Sequence, residues 1–296
     1  MKKIGMIGIG LMGHGIATNV RKAGYPLGIL EHPGNQPLDS LIAQGVTTYQ
    51  SPRALAADSE VIILCVTGSP QVEAVLFEPD GVLEGLKEGT VVIDCSTAIP
   101  SSTVRIAQQI VDKGGRFLDS PMTRTPKEAA EGRLNLLVGS DRALFDEMLP
   151  LLRSFAENVT HAGPVGSGHR MKLLHNYVSL GQVALISEAA ACAAKADIDP
   201  AVLVEVLAKG GGGGAALDRL KPFLLDQDPT ALRFTLSNAN KDLGYYTLMA
   251  KDGEAAHEIA DAVATTFERF AALAPNRYVS ELASLLNNIE SDQQLK

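Results

Sequence analysis

Apolar side chains come in two rhythms along this chain. Through the first part they form short unbroken runs: Lys3 to Ile9, Leu27 to Glu31, Val61 to Val66, Val91 to Asp94, Phe117 to Ser120 and Leu134 to Val138. Runs of this length, rich in Val, Ile and Leu, predict strands buried on both faces. Between them lie segments with helical spacing, at Gly13 to Ala23, Pro37 to Gln44, Pro52 to Ala57, Pro70 to Leu76 and Ser101 to Lys113. Strands alternating with helices predict βαβ units and a doubly wound parallel sheet with right-handed crossovers. After Gly163-Pro164-Val165-Gly166 the rhythm changes to an Ala- and Leu-rich pattern with a period near 3.6, which predicts helix throughout. The first of these helices, Gly168 to Ala196, would be roughly 43 Å long at 1.5 Å per residue.

Local punctuation sharpens this outline. Asp199-Pro200 and Asp228-Pro229 read as helix starts, with Asp as the cap and Pro in the first turn. The run Gly210 to Gly214 has no backbone preference that would hold it in a helix, so it is expected to be a loop. Ser291 to Lys296 are expected to fray. The predicted architecture is an α/β domain over residues 1–163 and an all-α domain over residues 164–296, joined by a long interdomain helix.

Charge and composition exclude several classes. With 26 Lys+Arg against 34 Asp+Glu among 296 residues, the net charge is −8. No basic stripe is available for nucleic acid, so no nucleic-acid partner is expected. No run of about 18 apolar residues is evident, and the start Met1-Lys2-Lys3 lacks the pattern of a cleaved signal, so no membrane partner is expected. Cys65, Cys95 and Cys192 are widely spaced in apolar stretches. They read as small buried hydrophobes in a reduced compartment, the cytoplasm.

The first chemical motif is Gly8-Ile9-Gly10-Leu11-Met12-Gly13, which follows a predicted strand and opens a predicted helix. Glycines here allow a tight turn, close approach of backbone to a pyrophosphate, and close packing of helix on strand. The helix N-terminus then aims N–H groups at the phosphates. The first domain is accordingly expected to be a Rossmann-type dinucleotide-binding domain. Glu31 ends the second strand, 23 residues after Gly8, where an acidic side chain accepts hydrogen bonds from ribose hydroxyls and repels a 2′-phosphate. No Lys or Arg follows it in His32-Pro33-Gly34-Asn35, so NAD is favoured over NADP.

The second motif opens the long helix: Gly166-Ser167-Gly168-His169-Arg170-Met171-Lys172-Leu173-Leu174-His175-Asn176. Lys172 and Asn176 are four apart and share a face, with His175 on the same side. His169 and His175 are six apart, on different faces, with no Cys or carboxylate cluster beside them, so no metal is expected.

Together these segments resemble the β-hydroxyacid dehydrogenases, the family that includes 3-hydroxyisobutyrate dehydrogenase, tartronate semialdehyde reductase and sulfolactaldehyde reductase. Five ordered matches carry the resemblance: Gly8-x-Gly10-x-Met12-Gly13 with Asn19; Asp94-Cys95-Ser96-Thr97 with Pro100; Asp119-Ser120-Pro121-Met122; the Gly-x-Gly-x-x-x-Lys-x-x-x-Asn segment ending at Asn176; and Phe234 followed by Lys241-Asp242-Leu243. The resemblance implies that Lys172 is the catalytic lysine and that Asn176 holds the substrate. It implies that Val66, Thr67 and Thr97 line the cofactor from adenosine to nicotinamide ribose, and that Lys241 closes over it. Ser120, Met122 and Thr123 would face the substrate.

Two positions depart from the family pattern. Where most members read Asp-Ala-Pro-Val-Ser-Gly-Gly, this chain reads Asp119-Ser120-Pro121-Met122-Thr123-Arg124-Thr125. Thr123 keeps a hydroxyl, but the glycine pair that cradles a carboxylate is gone. Arg124 is expected either to offer its fork of N–H donors to an anionic substrate, as in the sulfolactaldehyde reductase branch, or to pair with a local carboxylate such as Glu128. His175 stands where the family has a first Asn, to bond the substrate or to pack.

The resulting expectation is an NAD-dependent oxidoreductase that interconverts a small 3-hydroxyacid, or 3-hydroxy-sulfonate, and its semialdehyde. Lys172 serves as general acid in reduction and general base in oxidation. The base role needs a pKa below the ordinary value near 10.4, favoured by burial and by a second cation, Lys241 or Arg124. The alternatives are an imine reductase on the same fold, whose members usually lack the lysine, and a non-catalytic NAD-binding scaffold. The helical half is expected to support a homodimer or homotetramer.

Overall fold

A computed structural model describes residues 1–288; the expectation for Ser291 to Lys296 lies outside the described residues. Two compact units are present, Met1–Lys172 and a second beginning at Leu173, so the division falls within one helix, Ser167–Lys195.

The first unit is built on a nine-stranded sheet. Its strands are β1 (Ile4–Ile7), β2 (Leu27–Leu30), β3 (Thr47–Tyr49), β4 (Val61–Leu64), β5 (Val91–Asp94), β6 (Arg116–Asp119), β7 (Met122–Thr123), β8 (Leu134–Gly139) and β9 (Ala156–Gly163). The order is β3-β2-β1-β4-β5-β6-β8-β7, with β9 paired to β8. The first six strands are mutually parallel. Their apolar runs are explained by burial on both faces: all four side chains of β4 are fully buried. Alternation then feeds two cores, with Val61, Ile63, Val91 and Ile93 on one face and Ile62, Leu64 and Val92 on the other.

The parallel expectation holds for β1 to β6 and fails beyond. β8 runs antiparallel to both β6 and β7, and β9 runs parallel to β8. Arg124 to Arg133 join β7 to β8, fewer than the dozen or so residues that a parallel crossover needs, so β8 turns back beside β7. The strand order reverses between β1 and β4, the switch point where doubly wound sheets bind ligands beyond the carboxyl ends of their strands.

The second unit is helical. Pro200–Lys209, Ala215–Asp226, Leu236–Asp252, Glu258–Leu273 and Leu282–Asn287 pack, with the later turns of Ser167–Lys195, around Leu217, Leu220, Leu243, Phe267 and Phe270. Asp199 caps its helix by accepting from the Ala201 N–H at 2.8 Å, and Gly210 to Gly214 form a loop. Asp228-Pro229 opens only a single 3-10 turn, Pro229–Leu232, because Thr235, three residues on, already caps the next helix, Leu236–Asp252.

Two expectations need correction. Ser167–Lys195 contains an 18-residue window of mean hydropathy 1.3, so a helix long and apolar enough to cross a membrane is present. It passes because alanines and leucines outweigh Asn176, Gln182, Ser187 and Glu188, and Leu180, Val183 and Ala184 in it belong to the helical core. Cys192 is exposed and Cys65 half-buried, near the ends of their elements; Cys95 is buried as expected.

Candidate active site

The glycine motif lies at the switch point. Gly8 has a φ of +93°, and a side chain there would strike the Cys65 carbonyl. A β-carbon on Gly13 would collide with the Gly8 carbonyl oxygen, so turn and helix close-pack. Gly10 is different: a β-carbon there would meet nothing within 4 Å. It is the N-cap of Leu11–Lys22, a helix with no side-chain cap and no acidic residue in its first turn. An open backbone concavity at an uncapped helix N-terminus fits a pyrophosphate. Leu11 is exposed beside it and Met12 packs against the sheet core.

Glu31 is exposed just past β2, where its carboxylate accepts from Gln50 Nε2 at 2.7 Å. Hydrogen bonds from Gln50 and then Thr48 hold its pKa below the ordinary value, so it is anionic at neutral pH. Asn35, which carried no signal in the sequence, spans the two turns. Its Nδ2 donates to the Leu30 carbonyl at 3.0 Å and its Oδ1 accepts from the Ile9 N–H at 3.2 Å.

Beyond β4 and β5, Ser96 is a junction. Its hydroxyl accepts from the Val66 N–H at 3.0 Å, and its own N–H donates to Asp94 Oδ1 at 2.9 Å. Thr67 is exposed and Thr97 half-buried at these strand ends. The thiols of Cys65 and Cys95 are raised by burial, Cys65 to about 12, so neither is a nucleophile at neutral pH.

Asp119, at the end of β6, anchors the helix that carries Lys172. Its Oδ1 accepts from the Gly166 N–H at 2.7 Å and its Oδ2 from the His169 N–H at 2.8 Å. The carboxylate thus satisfies orphan donors of the first turn, as an N-cap does. Burial raises its pKa, while His169 and the two amides pull the other way. The motif glycines make this approach possible. Gly166 has a φ of +88°, and a side chain on Gly168 would run into the Leu137 carbonyl. His169 is fully buried, with Nδ1 2.8 Å from Thr103 Oγ1 and Nε2 3.1 Å from the Ser96 carbonyl.

The segment after β6 is placed differently from its sequence expectation. Ser120 and Met122 are buried, and Met122 packs in the core of the sheet. Thr123 Oγ1 accepts from Asn135 Nδ2 at 3.1 Å, which leaves its O–H to donate. Arg124, at φ +81°, bonds the Arg133 carbonyl and forms an ion pair with Glu157. The carboxylate beside Arg124 is thus Glu157 rather than Glu128. Glu128 is taken by Thr125, whose N–H donates to it at 3.0 Å in the capping box of Pro126–Ala130. Asn19 bonds the far end of that helix, at the Ala129 carbonyl, at 3.0 Å.

In the second unit Asn176 is buried and donates from Nδ2 to Asp242 Oδ2 at 2.6 Å, using one of its two amide hydrogens. Its Oδ1 accepts from Nδ1 of His175, which is exposed, at 3.0 Å. Lys241 lies 2.7 Å from Asp242 Oδ1 and 5.1 Å from the Tyr245 ring centroid. Both cations expected to depress the Lys172 pKa, Lys241 and Arg124, thus face carboxylates of their own. Lys172 itself is half-buried, one turn after His169. Among the described residues no cluster of three or more His, Cys, Asp or Glu side chains is placed to hold a metal.

The chain matches known proteins along most of its length. Residues 3–163 match the NAD binding domain of 6-phosphogluconate dehydrogenase, and residues 166–286 match the NAD-binding domain of NADP-dependent 3-hydroxyisobutyrate dehydrogenase. The chain is 31% identical to 2-(hydroxymethyl)glutarate dehydrogenase of Eubacterium barkeri, over 85% of this chain and 83% of that one. It is 32% identical to NAD-dependent L-serine dehydrogenase of Pseudomonas aeruginosa, over 90% and 88%. A solved structure of Mycobacterium tuberculosis 3-hydroxyisobutyrate dehydrogenase with L-serine superposes with a TM-score of 0.86 at 24% identity, covering 97% of this chain and 99% of that one.

Proposed function

This chain belongs to the β-hydroxyacid dehydrogenase family and is an NAD(P)-dependent oxidoreductase; we propose that it interconverts a small 3-hydroxyacid and its semialdehyde with NAD, and that Lys172 moves the proton. One observation carries the reading. Asp119 fastens the start of the Lys172 helix to the carboxyl end of β6, the same edge of the sheet that carries the Gly8–Gly13 turn and the Ser96-Thr97 loop. Ligands of doubly wound sheets bind at that edge.

When bound, the nicotinamide supplies or accepts the hydride. The protein handles the proton on the substrate oxygen. As an ammonium, Lys172 donates to the carbonyl oxygen while the semialdehyde is reduced. As a neutral amine it removes the hydroxyl proton while the hydroxyacid is oxidised. Gly10 and the first amides of Leu11–Lys22 would receive the pyrophosphate, and the Glu31 carboxylate the adenosine ribose. Val66, Thr67 and Thr97 would line the cofactor. The Thr123 hydroxyl would orient the substrate. Because Arg124 is paired with Glu157, a carboxylate is favoured over a sulfonate as the substrate's anionic group. Exposed Val178 and Leu185 on Ser167–Lys195 support self-association as a homodimer or homotetramer.

A panel of acids tests the reading: 3-hydroxyisobutyrate, 3-hydroxypropionate, glycerate, L-serine and 3-hydroxypropanesulfonate, each with NAD and with NADP, and a cyclic imine with each reduced cofactor. Formation of reduced cofactor with a carboxylic acid, faster with NAD than with NADP, is expected. Turnover of the imine alone would replace this reading with an imine reductase.

A further inference from the structure

The Lys172 helix is fastened twice. Asp119 holds the backbone of its first turn, and the fully buried side chain of His169 makes a separate attachment. His169 Nε2 faces the Ser96 carbonyl at 3.1 Å. A carbonyl only accepts, so Nε2 carries a proton. Nδ1 faces the Thr103 hydroxyl at 2.8 Å, with Asp119 Oδ2 3.8 Å away. Ser96 in turn holds the Val66 N–H through its own hydroxyl, at 3.0 Å. A continuous chain of hydrogen bonds therefore links the loops after β4 and β5 to the turn that precedes Lys172. Lys172 lies three residues on, the neighbouring position on the same side of the helix.

We propose that His169 is a positioning residue, whose imidazole sets Lys172 against the loop of Ser96 and Thr97. This rests on the reading of Lys172 as the proton-transfer group. The cap by Asp119 uses the backbone N–H of residue 169, which every substitution except proline keeps. The helix therefore still starts in place when the imidazole is lost, and what is lost is its register against the Ser96 loop. A misplacement of about 1 Å near the reacting atoms costs on the order of a hundredfold in rate.

The test compares His169→Gln with His169→Leu, alongside Lys172→Ala. Gln fills similar space and its amide still donates to the Ser96 carbonyl; Leu fills the space with no bond. The fastest acid of the panel above is used with and without deuterium at the carbon that gives up hydride. His169→Leu is expected to lower kcat on the order of ten- to a hundredfold and to raise the isotope effect on kcat, with KM and NADH affinity within about threefold. His169→Gln is expected to recover most of the rate. Reductive methylation with labelled formaldehyde gives a readout without turnover. The Lys172 methyl resonance, identified by its loss in Lys172→Arg, is expected to shift in the Leu variant and return in the Gln variant.

Wild-type turnover, isotope effect and methyl resonance in His169→Leu would overturn the proposal and leave the lysine reading intact if Lys172→Ala is inactive. Undiminished turnover in Lys172→Ala would sink both. Should His169→Leu fail to fold, His169→Asn places its amide where Nδ1 stands, facing Thr103, and does not reach the Ser96 carbonyl. It is expected to slow kcat and raise the isotope effect in the same direction, and no change in either would overturn the proposal.

Discussion

At Gly168 the helix carrying Lys172 comes so near the sheet that a methyl group would strike the Leu137 carbonyl and lie 2.8 Å from Asp119 Oδ2. Neither neighbour can yield, because one is sheet backbone and the other is the carboxylate that caps the helix. Farther along the same helix, a β-carbon on Gly181 would meet nothing within 4 Å. The two glycines therefore respond oppositely to alanine. Gly168→Ala is expected to destabilise by about 1–3 kcal/mol, through overpacking. Gly181→Ala is expected to stabilise by about 0.5–1 kcal/mol, through helix propensity. Thermal melting of the two variants checks this, and a similar shift in both would refute the packing argument. The motif's second glycine is thus explained by sheet-to-helix distance, which the spacing of letters in a sequence does not contain.

At the scale of elements, one ion cluster ties the start of β6 to the helix Arg142–Leu152. Arg116 meets the two oxygens of Glu147 at 2.6 and 3.0 Å, and Lys2 joins from the N-terminus. Hydrogen bonds from Arg116 and then Lys2 hold the Glu147 carboxyl at about 2, below its ordinary value of 4.5. A carboxyl depressed in the folded state contributes stability above its unfolded pKa and loses it as pH falls toward its folded pKa. Glu147→Gln lacks that contribution at every pH. The melting temperature of the wild type should therefore fall more steeply than that of the variant between about pH 4.5 and about pH 2. Parallel slopes would show that the cluster does not act on folding.

How far these elements were legible depended on burial. The strands β1, β2, β4, β5, β6 and β8 announced themselves as apolar runs because both faces, or most positions, are covered. β3 and β7 are three and two residues long, too short for any period. β9 reads Ala-Glu-Asn-Val-Thr-His-Ala-Gly and is largely uncovered, so no apolar run marks it. Arg142–Leu152 and Pro126–Ala130 carry sequence signals outside the apolar runs: the Asp141 cap with Leu144, Phe145, Met148 and Leu151 at helical spacing, and the Thr125-Pro126 start with Glu128. In the candidate site, the local motifs at Gly8–Gly13 and Lys172–Asn176 were readable. The bonds from Asp119 and Ser96 to His169 join residues 50 and 73 positions apart, and Arg124 finds Glu157 rather than Glu128 at a separation of 33. Such pairings are decided by the sheet order.

At the scale of the whole molecule, chemistry is divided unequally between the two units. The first holds the glycine turn, Glu31, the Ser96-Thr97 loop, Thr123 and Lys172; the second holds the Asn176–Asp242–Lys241 network. On the proposed reading, cofactor recognition and proton transfer belong to one sheet edge, and removing the lysine amine should leave that edge otherwise unchanged. The most direct measurement is NADH affinity, by fluorescence, together with turnover in Lys172→Ala. The account predicts an NADH dissociation constant within about twofold of wild type and a kcat lowered by about 10²- to 10⁴-fold, the usual contribution of a general acid or base. Near-normal turnover in Lys172→Ala, or NADH affinity lost together with activity, would contradict it.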